Sequence, residues 1–368
     1  MLTAVAVGSL LAGCTSATAD SGSSASGEKI SNACTQAAAA IVDEARAPAP
    51  LVVPEAPLDL AAAKGKNIWM IMVVTNQFTS AAAEGFKEAA GAAGVKTTVF
   101  DGQGQTNKFN EGMAQAIAQK ADAIVLLGIE PAMLSGALND TANAGIPVIN
   151  ALSGDASAPL ANGVFANVSA DYTANGAALA AWTLVDSNCT ATSFLAQPTA
   201  IEIYQNMAAG AQQVYREHCP EDCTLDVQEI ALANAATDLP QKLATAMKRN
   251  PDTGYVLTNW DSGVTFIEPA VAMTNPDARI LGRDGIATSL DAIRSDKGQD
   301  VTVAAPPEAW LGWVMVDDAI RAITGAQPSG IVIPTRLVDE TNIGESNADV
   351  SPNYNDFPTA FTRAWSKN

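Results

Sequence analysis

The sequence is poor in histidine, in basic residues and in long apolar runs. The only histidine is His218, and no acid or nucleophile stands at a motif spacing from it. Lys and Arg number 20 against 39 Asp and Glu, a formal net charge of -19. That charge repels nucleic acid and anionic lipid headgroups, so neither is an expected partner. After residue 14 no stretch approaches the ~20 apolar residues of a membrane-spanning helix.

The N-terminus has the pattern of an export signal followed by an anchor. Residues 2–13 form a short apolar run that ends in Leu11-Ala12-Gly13-Cys14, which resembles the bacterial lipobox. The resemblance implies a signal peptide and lipobox in residues 1–14, with lipidation of Cys14 and an extracytoplasmic protein anchored to the cell membrane. The alternative is a cleaved signal with an incidental cysteine, and no Lys or Arg precedes the apolar run. Residues 15–28 are small and polar, as in a flexible leash.

Four further cysteines fit an exported protein: Cys34, Cys189, Cys219 and Cys223. An even number favours disulfides, and four cysteines allow three connectivities. The spacing predicts that Cys219–Cys223 closes a small loop, which leaves Cys34–Cys189 to attach the N-terminal helix to the body. The alternative is a metal site formed by converging thiolates. We expect disulfides, with no metal and no cofactor.

Short apolar strands alternate with Ala-rich helices along the body. Continuous apolar runs such as residues 68–74 are typical of parallel strands buried on both faces. The predicted strands are 68–74, 96–100, 123–128, 146–150, 165–169, 193–197, 224–230, 255–259 and 279–285. The predicted helices are 29–46, 80–93, 107–119, 131–144, one from Ala170, 203–217, 237–249 and 262–273. The alternation predicts the α/β class, with two lobes that each contain a doubly wound parallel sheet.

The order of several short motifs resembles the type I periplasmic sugar-binding proteins, the ribose- and galactose-binding group related to the LacI repressors. The resemblance covers about residues 66–340. Its motifs are Gly85-Phe86-Lys87-Glu88-Ala89-Ala90, Ala144-Gly145-Ile146-Pro147-Val148-Ile149, Val168-Ser169-Ala170-Asp171, Asn259-Trp260-Asp261 and Gly282-Arg283-Asp284-Gly285. It implies a three-crossing hinge near residues 168, 305 and 334. After the signal peptide, residues 15–65 are expected to form the leash, an N-terminal helix and an extended segment. The N-terminal lobe would comprise residues 66–168 plus 306–333, and the C-terminal lobe residues 169–305 plus 334–368.

The resemblance also implies a ligand pocket at strand ends in the N-terminal lobe. Asn76 would hydrogen-bond the ligand beside Gln77, and Phe78 would stack on it, unless its ring belongs to the core. Glu130 would lie at the rim or cap the next helix. After the strand at 146–150 many family members carry an Asp-Arg pair, where this sequence has Leu152 and Ser153.

The C-terminal lobe would supply the remaining contacts. Tyr204 and Gln205 stand where the family commonly has an arginine. Asp284 matches the family's ligand-binding aspartate, although it could instead cap the following helix. Two further candidates have structural alternatives: Asp261 could cap a helix at Ser262, and Trp310 could pack on the lobe surface. Trp260 is expected to contribute a ring. The lost guanidinium groups indicate a ligand with fewer hydroxyls, or with an apolar or cationic part.

An enzyme is not expected, because no catalytic motif is complete. The Gly102-Gln103-Gly104 turn lacks the pattern of a phosphate-binding loop. The predicted function is the solute-binding component of an ABC importer: a monomer that captures a small polar solute, such as a sugar or polyol, and delivers it to a membrane permease. The alternatives are a ligand-sensing receptor domain and a binder of a non-carbohydrate solute.

Overall fold

A computed structural model describes residue 1 and residues 23–199, 201–344 and 352–366. The predicted signal peptide and lipobox with Cys14, and most of the predicted leash, lie outside these ranges. The first helix, α1, spans Ser23–Arg46, so the end of that leash is helical and the helix begins before residue 29. No helix in the described ranges is both long and apolar enough to cross a bilayer.

The N-terminal lobe is a five-stranded parallel sheet in the order β2-β1-β3-β4-β5 with helices on both faces. The apolar run at 68–74 forms most of the interior strand β1, whose residues from Ile68 onward are buried. The strands are β1 Asn67–Met72, β2 Lys96–Asp101, β3 Ala123–Leu127, β4 Val148–Ala151 and β5 Val164–Val168. The helices are α2 Leu60–Ala63, α3 Gln77–Ala93, α4 Thr106–Ala118, α5 Ser135–Asn143 and, from later in the chain, α11 Glu308–Thr324.

The C-terminal lobe repeats this plan with six strands in the order β11-β10-β9-β8-β6-β7, all parallel except β11. Its strands are β6 Thr192–Pro198, β7 Thr224–Ile230, β8 Tyr255–Leu257, β9 Arg279–Asp284, β10 Val301–Ala304 and β11 Arg336–Val338. Its helices are α6 Tyr172–Asp186, α7 Glu202–His218, α8 Ala235–Arg249, α9 Val264–Thr274 and α10 Ala287–Arg294. The two-lobed α/β architecture is confirmed.

Small residues allow the helices of each lobe to approach closely. A Cβ on Gly85 of α3 would lie 2.1 Å from the carbonyl oxygen of Ala309, in α11. A Cβ on Gly176 of α6 would lie 1.9 Å from the carbonyl oxygen of Met207, in α7. Both distances are far below van der Waals contact, so glycine is required at these crossings. The abundance of alanine and glycine therefore reflects tight helix packing.

The chain passes between the lobes after β5, after β10 and before β11, close to the three crossings expected. The segment after α1 adds another passage. Ala49 packs with residues of the C-terminal lobe, whereas the carbonyl oxygen of Val52 accepts a hydrogen bond from the indole of Trp310 in α11.

The end of the chain returns to the N-terminal lobe, although residues 334–368 were predicted to lie in the other one. β11 does pair with β10, but helix α12, Phe357–Trp365, packs on α11. The indole of Trp365 stacks on Trp313 with a centroid distance of 5.2 Å and donates to Asp317 Oδ1 at 2.8 Å. These aromatic contacts hold α12 on the N-terminal lobe.

Both predicted disulfides are present, Cys34–Cys189 and Cys219–Cys223. The first joins α1 to the C-terminal lobe, where α1 packs against α6. The second closes the short turn between α7 and β7. The thiols therefore form cross-links in place of the alternative metal site.

Candidate ligand-binding site

A cavity of about 330 Å³ lies between the two lobes at the carboxyl ends of their strands. This is the location at which doubly wound sheets bind ligands. Predicted residues from both lobes line it: Asn76, Phe78, Leu152, Tyr204, Trp260 and Asp284. The fold therefore brings half of the twelve predicted pocket residues to one cavity, including the aspartate that the motif comparison favoured.

Asn76 is placed at the cavity by its role as the N-cap of α3. Its Oδ1 accepts from the backbone N–H of Thr79 at 2.9 Å, and the Thr79 hydroxyl accepts from the Asn76 N–H at 3.0 Å. This reciprocal capping box satisfies two free helix donors and orients the asparagine. The cap uses Oδ1, so the Nδ2 amide is the part of Asn76 that can donate to a ligand.

Aromatic rings form much of the cavity lining in the C-terminal lobe. Tyr204 and Trp260 are tilted against each other with a centroid distance of 5.8 Å. The indole of Trp260 packs against Gly263, where a Cβ would lie only 2.5 Å from the ring. The absence of a side chain at Gly263 therefore allows this close contact. Burial raises the pKa of Tyr204, and the nearby Asp284 carboxylate adds to the effect. Tyr204 therefore acts as a neutral ring with a hydroxyl.

Asp284 and Arg283 form the polar end of the cavity. Arg283 is 3% exposed, its Nη1 donates to Asp284 Oδ1 at 2.6 Å, and its guanidinium lies 4.8 Å from the ring centre of Tyr172. Burial raises the pKa of Asp284 to about 7; Arg283 opposes this shift and the Asp261 carboxylate adds to it. Asp284 therefore titrates near neutral pH, within reach of a bound molecule.

Asp261 is buried next to the polar end of the cavity and does not line the cavity. It is 1% exposed and accepts from the N–H of Gly285 at 2.7 Å, from Gln299 Nε2 at 2.8 Å and from Thr302 Oγ1 at 3.0 Å. The expectation of a ligand contact or a helix cap at Asp261 is therefore not met. Its hydrogen bonds join β8, β10 and the turn that follows Asp284.

Trp310 is also away from the cavity, because the segment that carries it begins α11. The side chain is fully buried, with Tyr354 at a centroid distance of 5.8 Å and Phe361 at 6.5 Å. The ligand contact expected of Trp310 is therefore not met; the ring packs on its own lobe, as the alternative had it, but is covered there and not exposed on the surface. The indole is covered by the extended segment after α1 and by the C-terminal residues.

Four other predicted residues do not line the main cavity. Gln77 is exposed in the first turn of α3, and Gln205 is exposed and donates to the Thr199 carbonyl oxygen at 2.9 Å. Glu130 and Ser153 are paired instead, with the serine hydroxyl donating to Glu130 Oε2 at 2.6 Å. They line a smaller neighbouring cavity together with Glu202. Burial, followed by the charges of Glu130 and Asp155, raises the pKa of Glu202.

Arg283 and most of the aliphatic lining were not predicted from the sequence. Successive residues of a regular strand point to opposite faces, so strand alternation alone does not place Arg283 and Asp284 in one cavity. Asp284, however, has a φ of 138°, outside the extended region, and both residues line the cavity. The Gly282-Arg283-Asp284-Gly285 motif was the available signal. The other residues missed are Val73, Val74, Thr79, Leu127, Gly128, Ile201, Ile203, Leu232, Ala235, Ser262 and Phe266.

Comparison with solved structures shows the same two-lobed fold. An ABC transporter solute-binding protein from Mycobacterium smegmatis with bound glycerol is 21% identical, with a TM-score of 0.67 over 77% of this chain and 99% of that one. One from Bacillus halodurans C-125 with bound myo-inositol is 18% identical, with a TM-score of 0.65 over 76% and 96%. A periplasmic ribose ABC transporter protein from Conexibacter woesei is 19% identical, with a TM-score of 0.64 over 77% and 94%.

Sequence comparison identifies the family. No curated protein matches the chain in sequence. The family model described as the periplasmic binding protein domain matches residues 68–327, which is well over half of the chain and includes both lobes. The predicted resemblance is therefore confirmed, and the chain belongs to the periplasmic binding protein family.

Proposed function

We propose that this protein is the solute-binding component of an ABC importer, which captures a small solute between its lobes and delivers it to a membrane permease. The observation that carries the proposal is the cavity between the lobes, with residues from both lobes in its lining. A ligand that contacts both lobes stabilises the closed state by its difference in affinity between the closed and open states. Closure would present surfaces of both lobes to a permease.

The similar solved structures support a sugar, a polyol or a related compound as the solute class. Their bound molecules include glycerol, myo-inositol and D-arabinose. In this chain Asn76 Nδ2, Asp284 and Arg283 would hydrogen-bond the solute, while Phe78 and Trp260 would cover its apolar faces.

The lipobox-like pattern of the N-terminus adds a membrane anchor to the proposal. Acylation of Cys14, followed by a polar leash, would hold the protein at the outer face of the cell membrane as a monomer beside its permease. Metabolic labelling with an alkyne fatty acid, with Cys14→Ala as the control, tests the anchor. Light scattering of the purified protein tests the monomer.

A thermal-shift screen of the full purified chain against sugars, polyols, amino acids and nucleosides tests the binding function. A ligand that binds only the folded state raises the melting midpoint by an amount set by its concentration relative to its Kd. We expect a shift with at least one neutral solute and its loss in Asp284→Ala. Lack of a shift across the whole screen would argue against a solute-binding role.

A further inference from the structure

The cavity between the lobes has hydrocarbon on both of its sides. The N-terminal lobe contributes Val73, Leu127 and Leu152. The C-terminal lobe contributes Ile201, Ile203 and Leu232, and four rings lie among these aliphatic groups: Phe78, Tyr204, Trp260 and Phe266. A fully hydroxylated sugar or cyclitol would place hydroxyl groups against these surfaces. Each hydroxyl left without a partner loses its hydrogen bonds to water, at a cost of about 1–3 kcal/mol.

Polar side chains of the N-terminal lobe are largely engaged in capping α3. The Thr79 hydroxyl lines the cavity but donates to the Val74 carbonyl oxygen at 2.7 Å. Asn76 Oδ1 is bound to the Thr79 N–H. That side of the cavity therefore offers a ligand few free hydrogen-bonding atoms.

Leu152 strengthens the apolar character of this side. It has a φ of 60°, in the left-handed region that Gly, Asn and Asp adopt more easily than leucine. Its side chain is nevertheless 7% exposed and lines the cavity. The chain thus holds an aliphatic group at a position where a polar residue would suit the backbone better.

Hydrogen-bonding capacity is concentrated at Arg283 and Asp284. The Nε of Arg283 is buried and has no hydrogen-bond partner among the described residues. A buried donor of this kind is stabilised when a ligand oxygen accepts from it. The Asp284 carboxylate beside it can accept from a ligand hydroxyl.

The charges around this end favour an uncharged ligand. Arg283 lies beside the Asp284 and Asp261 carboxylates, whose charges act on its guanidinium. An added anion would be repelled by the two carboxylates. An added cation would be attracted by the carboxylates but repelled by Arg283, and it would lose its hydration among the hydrocarbon groups of the lining. A neutral hydroxyl or carbonyl group can bond to Arg283 or Asp284 without either penalty.

We propose that the ligand is a small uncharged molecule with a hydrocarbon body and one hydroxyl- or carbonyl-bearing edge, and that Arg283 contacts that edge. This inference rests on the solute-binding function proposed above, but it departs from the sugars and polyols of the similar structures in favour of a related compound with fewer hydroxyl groups. It assigns to Leu152 the preference against fully hydroxylated solutes. It assigns to Arg283 the hydrogen bond with the polar edge of the ligand.

Isothermal titration of the full chain with four compounds on the same six-membered carbon ring tests the class. The compounds are cyclohexanol, myo-inositol, cyclohexanecarboxylate and cyclohexylammonium. We expect cyclohexanol to bind at least about tenfold more tightly than each of the others, a difference of about 1.4 kcal/mol. Tighter binding of myo-inositol or of either ion would overturn the inference and leave the solute-binding function intact. If none of the four compounds binds but another solute raises the melting midpoint in the thermal-shift screen, only the proposed ligand class is overturned. If no compound binds in either experiment, both the ligand class and the solute-binding function are overturned.

Two variants test the assigned residues. Leu152→Asn suits the left-handed backbone, which offsets part of the apolar burial that is lost, so the variant should still fold. It should shift the cyclohexanol to myo-inositol preference about tenfold towards myo-inositol. Arg283→Lys removes the Nε donor and should weaken cyclohexanol binding about tenfold. Its matched control is Arg279→Lys at the other end of β9, where the arginine is paired with Asp300 away from the cavity. Equal affinity of the two lysine variants would overturn the role of Arg283.

Discussion

Asp261 Oδ2 accepts a hydrogen bond from the backbone N–H of Gly285 at 2.7 Å, and this bond fixes the turn that follows Asp284. Asp261 follows β8, whereas Gly285 follows β9, so one carboxylate joins the ends of two neighbouring strands. The same carboxylate accepts from Thr302 in β10. The polar end of the cavity is therefore positioned by a buried carboxylate that does not line the cavity.

Removal of this carboxylate should destabilise the fold and weaken ligand binding. Asp261→Ala leaves buried donors of Gly285, Gln299 and Thr302 without their acceptor, so we expect a loss of about 3 kcal/mol in the free energy of unfolding. Urea unfolding measures the loss. The control is Asp291→Ala, an exposed aspartate of α10, which should change stability by less than about 0.5 kcal/mol. A loss below about 1 kcal/mol for Asp261→Ala would contradict the supporting role.

Asp284 should make stability fall as pH rises towards neutrality. Its pKa is raised to about 7 in the folded protein, against about 3.9 in an unfolded chain. Between these values the folded state binds the additional proton, so this contribution is complete below pH ~4 and is lost by pH ~7, with a slope of at most about 1.4 kcal/mol per pH unit. Comparison of wild type with Asp284→Asn by urea unfolding isolates it from other buried carboxylates. Equal pH profiles for the two proteins would refute the prediction.

The same titration should appear in ligand affinity. A ligand hydroxyl bonds more strongly to the ionised carboxylate of Asp284 than to the protonated carboxyl group, so affinity should rise as pH increases from 6 to 8 through the pKa of about 7. Calorimetric titration with the best ligand of the screen at several pH values measures this rise. Asp284→Asn should bind more weakly and without the pH dependence; a rise that persists in this variant would assign the titration to another group.

Substitution of the two tryptophans that the sequence placed at the site should have different effects, on stability for Trp310 and on ligand affinity for Trp260. Trp310 is fully buried against Tyr354 and Phe361, so Trp310→Phe should lower stability by about 1–3 kcal/mol and leave affinity unchanged. Trp260→Leu should lower affinity about tenfold or more, because its ring lines the cavity. Thermal unfolding and calorimetry separate the two effects. An affinity loss in Trp310→Phe at unchanged stability would contradict the assignment.

The disulfides should differ in their contributions because they close loops of different length. Cys34 and Cys189 are 155 residues apart, and Cys219 and Cys223 are 4 apart. The chain-entropy relation gives contributions of about 5 and about 2 kcal/mol. Urea unfolding of the Cys34→Ala/Cys189→Ala and Cys219→Ala/Cys223→Ala proteins measures them. A larger loss from the short loop would show that native contacts, rather than chain entropy, set the order.

Local pattern determined the architecture of this protein. The apolar run that forms β1, the Ala-rich segments that form α3 and α6, and the restart of the alternation after residue 164 all depend on neighbours in sequence. The position of Asp284 at a strand end also follows from order along the chain. For this reason the two lobes and the positions of Asn76, Phe78 and Asp284 just after or at the end of a strand could be predicted, and the resemblance then implied their place in a pocket. The Cys34–Cys189 pair, 155 residues apart, followed only from the even number of cysteines and the short spacing of the other pair.

Tertiary structure alone decided which side chains meet in the cavity. Arg283 lines it beside Asp284 because the backbone departs from strand geometry at a φ of 138°, which strand alternation does not predict. Asp261 is withdrawn from the cavity by donors on two separate segments, the turn after β9 and residues 299–302, and Trp310 is covered by residues near both ends of the chain. Such contacts join residues far apart in sequence, so periodicity and motif spacing carry no information about them.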